Sequence, residues 1–260
     1  MLLNTHTLLL REYAGKRLKP GNLDILVYNV MPDILPIHRD ITPEMTHRLE
    51  RFGPVPPVHG KARFLQFHLL VDDLSHHGHV TLRGHDRDEN HSDGYAFRKG
   101  SLLAGDMVAL HRRRGDVLTA EEALYRSHLI IEMAVDLVLY RRFPETVDLF
   151  ARAVEWTIEN RIEGLVAALA WAYGMTERLA RESSLQGLEA YRNDILRRSV
   201  SLEGRTELFL WKFYGGNAED ELRAGVRALL QQGIESVADH ETFLSATLQE
   251  ITDAGFDGGL

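Results

Sequence analysis

Apolar residues recur along this chain at helical spacing, and the two-residue alternation of half-buried strands is scarce. "THTLLLREYAGKRL" (5–18) predicts a first helix ended near "KPGN" (19–22). "LDILVYNVMPDILPIH" (23–38) is a second apolar segment, with Pro32 and Pro36 breaking its end. "TPEMTHRLERF" (42–52) opens like a helix: Thr42 is the N-cap, Pro43 lies in the first turn and Glu44 at the positive end of the dipole. After the rigid loop "FGPVPPVHG", "KARFLQFHLLVDDLSHH" (61–77) predicts a helix closed by Gly78. "GHDRDENHSDG" (84–94) is a polar loop. "TAEEALYRSHLIIEMAVDLVLYRRF" (119–143) begins with a capping box, Thr119 to Glu122, and runs on as a long apolar helix. From Pro144 onward come amphipathic stretches, among them "VDLFARAVEWTIEN", "LVAALAWAYGMTERLARES" and "AEDELRAGVRALLQQGIE"; the tail "DAGFDGGL" is expected to fray. The expectation is one all-α, multi-helix domain over 1–260.

Composition narrows the function. The chain has 260 residues, 44% of them apolar, enough to bury a substantial core. A formal charge of -8 argues against a general polyanion binder. The basic clusters "HRRRG" (111–115), Arg141-Arg142 and Arg197-Arg198 read as solvated helix faces. With no cysteine there is no disulfide, thiolate zinc site or cysteine nucleophile, which fits a reducing compartment. The start "MLLNTHTLLLREY" lacks a basic leader and a cleavage site, so no signal peptide is read, and no apolar run approaches the ~18 residues of a membrane span. A cytoplasmic protein is the expectation. Histidine is the anomaly: of thirteen, twelve precede residue 130.

Those histidines fall into a pattern with carboxylates. In "FHLLVDD", His68 and Asp72 are four apart and share a helix face, while positions 64, 65, 67, 69, 70, 71 and 74 are apolar. In "SHLIIEMAV", His128 and Glu132 repeat the spacing in an equally apolar setting. Burying such groups costs several kcal/mol unless they are paired or hold a cation, and imidazole with carboxylate is a ligand set for zinc and similar divalent metals. His6 among "TLLL", Asp33 in "MPDILP" and His47 in the capped helix precede the two pairs.

This order resembles the zinc-dependent phospholipase C and single-strand-specific nuclease superfamily. Those all-α enzymes hold a metal cluster through an early His, an Asp, a His, His-x3-Asp, a further His and His-x3-Glu. The match covers the first half of the chain and rests on order and spacing. It implies the zinc-dependent phospholipase C fold, with metal ligands in 1–135 and covering helices in 141–252. It also implies that Asp33, His47 and His68 hold one zinc, Asp72 bridges, and His128 and Glu132 hold a second with a histidine of "SHHGH". Position 78, where the family has that histidine, is Gly here; His79 is favoured and His77 stays open. His6 with Asp72 would hold a third ion, which the secreted relatives also bind through a processed amino terminus. With no leader read here, two ions are expected and three are the alternative.

Other features read as structure. His38, His59, His85, His91 and His111 lie in loops or polar surroundings and are expected at the surface; Asp73 is expected to face away from the site. His85-Asp86 lacks the apolar helix on which phosphohydrolase HD dyads sit, and "DRDENHSDGYAF" has His91 and Phe97 where a calcium loop needs Gly and Glu. No nucleotide-loop or serine-hydrolase motif occurs.

Two divalent ions suit phosphoester hydrolysis, with Asp33 as ligand and proton acceptor and Asp72 fixing the spacing. The expected activity is metal-dependent hydrolysis of a small-molecule or lipid phosphoester, a phosphodiester first of all, by metal-activated water, with nucleic acid disfavoured by the charge. The alternatives are a non-catalytic metal-binding module with a regulatory or assembly role, and a helical interaction protein. Oligomeric state is not legible.

Overall fold

Thr119 opens the longest helix of the molecule with the expected reciprocal cap: its hydroxyl accepts from the Glu122 amide at 3.1 Å, and the Glu122 carboxylate accepts from the Thr119 amide at 3.2 Å. The computed structural model describes residues 2–81, 93–113, 115–216 and 218–260. Among these residues the chain forms α1 (Leu3–Ala14), α2 (Asp24–Ile34), α3 (Pro43–Thr46), α4 (Arg63–His76), α5 (Tyr95–Arg113), α6 (Ala120–Arg142) and α7 (Glu145–Asn160). Then follow α8 (Ile162–Tyr173), α9 (Glu177–Ala190), α10 (Leu196–Ser199), α11 (Leu202–Tyr214), α12 (Asp220–Ser236) and α13 (His240–Asp253). No strand occurs among the described residues. The fold is all-α, as the spacing predicts. His85-Asp86, His91 and most of the "DRDENHSDGYAF" segment lie outside the described residues.

The core is continuous from Leu3 in α1 to Phe256 beyond α13, so both halves of the chain share it. Helices α1, α2, α4 and α6 meet in its interior; α5 lies along α6, and α12 packs on both. No described helix is long and apolar enough to cross a membrane.

Several elements differ from the expectation for physical reasons. Pro32 lies inside α2 and does not end it. Every residue of that helix except Asp33 is buried, and tertiary packing outweighs one lost N–H bond; the chain leaves the α conformation only at the 3-10 turn Leu35–Ile37, which contains Pro36. α3 is a single turn rather than a long helix. "LVAALAWAYGMTERLARES" divides into α8 and α9 at Gly174, whose φ of 63° is left-handed. α5, unmarked by strong patterning, is a 19-residue helix. The tail is anchored rather than frayed: the Tyr13 hydroxyl donates to the Phe256 carbonyl at 3.1 Å, and Arg63 donates to that of Asp257 at 3.0 Å.

Candidate metal centre

α4 carries His68, Asp72 and His76 at successive turns of one face. His68 and Asp72 are held in the core, since Phe64 to Ser75 are buried without exception, and His76 follows at its partly open edge. Around this face the fold brings two groups of side chains together.

The first group is Asp33, His47, His68 and Asp72, each offering one ligand atom within 4.8 Å of the others. Asp33 arrives at the end of α2, where it is the one residue of the helix that is not buried. His47 is placed by α3. The Thr42 hydroxyl caps that turn by accepting from the Met45 amide, and the Thr46 hydroxyl donates to the Pro32 carbonyl at 2.8 Å, tying α3 to α2 beside Asp33. His47 Nδ1 lies 2.7 Å from the Pro43 carbonyl, an acceptor, so this nitrogen carries the proton and Nε2 presents its lone pair. That Nε2 lies 3.4 Å from Asp72 Oδ2 and 3.8 Å from Asp33 Oδ1. His68 Nε2 is 3.2 Å from the same Asp72 oxygen and 3.7 Å from Asp33 Oδ1.

His6 is fully buried and stacks on His68, with ring centroids 3.9 Å apart, and its Nε2 lies 3.2 Å from Asp72 Oδ1. It therefore touches Asp72 from the side opposite His47, without belonging to the four-residue group. Its backbone is fixed twice. Asn29 donates to the His6 carbonyl at 2.8 Å, and buried Asp136 accepts the Asn4 and Thr5 amides, each at 3.0 Å, at the start of α1.

The second group is His76, His128 and Glu132. His76 Nε2 and Glu132 Oε1 are 2.7 Å apart. His128 stacks against Phe97 with ring centroids 4.3 Å apart and meets the Tyr125 ring at 5.0 Å. Gly100 makes this possible: a Cβ there would lie 2.8 Å from the His128 amide nitrogen, so only glycine lets α5 press so closely on α6.

The histidine of "SHHGH" that joins Glu132 is thus His76, not His77 or His79. The helix persists to residue 76, one turn past Asp72. His77 is the C-cap and Gly78 turns the chain with a φ of 76°, so His79 leaves the helix and is exposed, its Nδ1 3.1 Å from the His77 carbonyl. The i, i+4, i+8 spacing on the same face was the available signal. His111 also departs from expectation: it is buried, at 2% exposure, because α5 packs it against α6 and α11. His38 and His59 are partly covered, the latter by Trp171. Asp73 points away and pairs with buried Arg51 at 2.6 Å, while also accepting from Thr81.

The electrostatics follow from burial. Burial, reinforced by neighbouring His6, pushes His68 down to about 4, and burial pushes His128 down to about 3. For His47 burial acts in the same direction, but the Asp72 carboxylate outweighs it and the net shift is upward. Burial would raise Asp72 and Glu132; the positive charge of the amino terminus, followed by the surrounding imidazoles, holds both well below the usual carboxylate range. Each group therefore contains a neutral imidazole beside an ionised carboxylate, His68 with Asp72 and His128 with Glu132, the protonation state that a divalent cation requires.

The residues fit such a cation on a further observation. Both ring nitrogens of His68 and Nδ1 of His128 are buried without a hydrogen-bond partner among the described residues. Buried polar atoms are otherwise almost always satisfied. Each group keeps partly open members: the side chains of Asp33 and His47 retain 25% and 29% of their exposure and that of His76 24%, whereas His68 retains none.

The chain matches no protein-family model, no curated protein and no solved structure.

Proposed function

We propose that the chain is a metal-dependent phosphoester hydrolase, acting on phosphodiesters in preference to monoesters, with zinc as the ion its donor set suits best. The observation that carries this reading is that one buried helix supplies ligands to both groups, Asp72 to the first and His76 to the second, separated by one helical turn of about 6 Å. Two divalent ions bound in such proximity supply charge for phosphoryl oxygens and a lowered pKa for water.

The chain's own residues divide the remaining work. Asp33, His47, His68 and Asp72 would hold one ion, and His76, His128 and Glu132 the other. Asp72 is touched by three imidazoles, those of His6, His47 and His68, all on the side of the first group. Asp33 stands at the open side, where its carboxylate can accept a proton from attacking water. The Pro43 carbonyl keeps His47 in the tautomer that leaves Nε2 available. His6, stacked on His68, limits rotation of that ring. Membership of the phospholipase C and single-strand-specific nuclease superfamily belongs to this same proposal, supported by the order of ligand types along the chain.

The test is elemental analysis of untagged protein purified without chelator, followed by assay on bis(p-nitrophenyl) phosphate with His68→Ala and Glu132→Ala. Metal in the parent, with hydrolysis lost in both variants, supports the reading. Equal activity in all three proteins, or no metal, removes it. A second reading, a metal-binding module without turnover, draws on the burial of two members of the second group, Glu132 at 3% and His128 at 4% exposure, with only His76 partly open. It predicts metal-dependent melting with no hydrolysis.

A further inference from the structure

Arg126 is a half-buried cation, and its hydrogen bonds among the described residues go to the Tyr214 hydroxyl and the His111 ring rather than to a carboxylate. No carboxylate lies within ion-pair distance of it among the described residues. Its guanidinium is nevertheless held firmly. The central carbon lies 4.8 Å from the Phe213 ring centroid and 5.5 Å from that of Tyr214. Nη1 donates to the Tyr214 hydroxyl oxygen at 2.9 Å. The same hydroxyl lies 2.5 Å from His111 Nε2. The other ring nitrogen of His111 is 3.7 Å from Asp116 Oδ2.

The network fixes one corner of a planar fork and gives Nε and Nη2 no acceptor among the described residues. Its position relates it to the second group of candidate ligands. Tyr125, the preceding residue, packs its ring 5.0 Å from His128 and 6.3 Å from Phe213. A row of rings, His128, Tyr125 and Phe213, therefore leads from that group to the guanidinium.

We propose that Arg126 binds a second oxyanion group of the substrate, a phosphate or carboxylate other than the ester that is cleaved. A guanidinium taken partly out of water and pinned without a counter-ion among the described residues carries a desolvation cost that a bound oxyanion offsets. Its fork matches the oxygens of phosphate and carboxylate, and its planar face is already stacked on aromatic rings. One pinned fork in a chain of net charge -8 suits a small, multiply charged ester rather than the long backbone of a polyanion. The word substrate rests on the hydrolase reading; the anion site itself does not.

The experiment titrates chelator-treated full-length chain with inorganic phosphate at low ionic strength, by calorimetry and by the Nε–Hε resonance of Arg126. Saturable binding that moves this resonance is expected. Arg126→Gln should raise the Kd at least about tenfold, the scale of a lost charge-assisted hydrogen bond, with Arg178→Gln, an exposed arginine of α9, within about twofold of the parent. A parallel titration with acetate separates a carboxylate from a phosphate site by which anion binds more tightly. An unmoved resonance in the parent, or an unchanged Kd in folded Arg126→Gln, overturns the proposal. The kinetic arm compares one p-nitrophenyl phosphoester with and without a second phosphate; Arg126→Gln should raise KM only for the doubly charged ester. Absence of any hydrolysis by the parent removes the hydrolase reading and leaves the phosphate titration to decide the anion site.

Discussion

His76 at the last turn of α4 and Glu132 in the middle of α6 meet at 2.7 Å, a contact between residues 56 positions apart in the chain. Through it the α4 face that bears His68 and Asp72 is joined to the α6 pair His128 and Glu132. Substitution at this junction is the most direct probe of the candidate centre. His76→Ala should abolish the rise in melting temperature that zinc produces, whereas His79→Ala should retain it. At a hundredfold excess over Kd, that rise reflects about 2.7 kcal/mol of linkage. Differential scanning fluorimetry with and without zinc reads the outcome; equal responses from the two variants would falsify the assignment of His76.

Acid should destabilise the metal-free chain earlier than carboxylate titration alone would. Unfolded histidine takes a proton near 6.5, but His68 stays neutral in the folded chain until about pH 4, and His128 until about pH 3. The unfolded state therefore binds more protons in that window, and stability falls as pH drops through it. At about 1.4 kcal/mol for each pH unit between the two values, His68 alone contributes on the order of 3 kcal/mol. His47, shifted upward, acts oppositely: its contribution is present at low pH and lost as pH rises through its folded value. Asp72 and Glu132, shifted downward, lose theirs only below the ordinary carboxylate range. Urea midpoints between pH 7 and 4 should decline in the parent and decline less in His68→Leu.

Asp136 anchors the start of α1 and pairs with buried Arg205 at 2.7 Å. Arg205→Leu leaves a carboxylate without its cation at 0% exposure. A loss of about 3–5 kcal/mol in chemical denaturation is expected, the usual penalty for breaking a buried pair from one side. A loss under about 1 kcal/mol, the range of surface pairs, would contradict the buried geometry.

Two glycines of α5 should respond in opposite directions to alanine. Gly105 has open space where a Cβ would go, so Gly105→Ala should stabilise by about 0.5–1 kcal/mol through helix propensity. At Gly100 the Cβ would press on the His128 backbone, and Gly100→Ala should destabilise by about 1–3 kcal/mol and weaken zinc binding by displacing α5 from α6. Thermal melts of the pair suffice, and a shared sign would refute the close approach.

Period, caps and residue chemistry are local, and these the sequence by itself determined. Helical spacing predicts an all-α chain, Thr119 with Glu122 marks a helix start, and two i,i+4 pairs on apolar stretches single out His68, Asp72, His128 and Glu132. Asp33, His47 and His6 were legible too, through the order of residue types. Tertiary structure alone decided the rest. Whether Pro32 ends a helix depends on the burial around it, and whether a tail frays depends on Tyr13, far away in sequence. The choice of His76 over His77 and His79 turned on the residue at which α4 stops, which Gly78 fixes to no better than a turn. The setting of Arg126 could not be read at all, because Phe213, Tyr214 and His111 reach it from two other helices. Spacing along one helix fixes which side chains share a face; which faces meet is set by packing between segments distant in the chain.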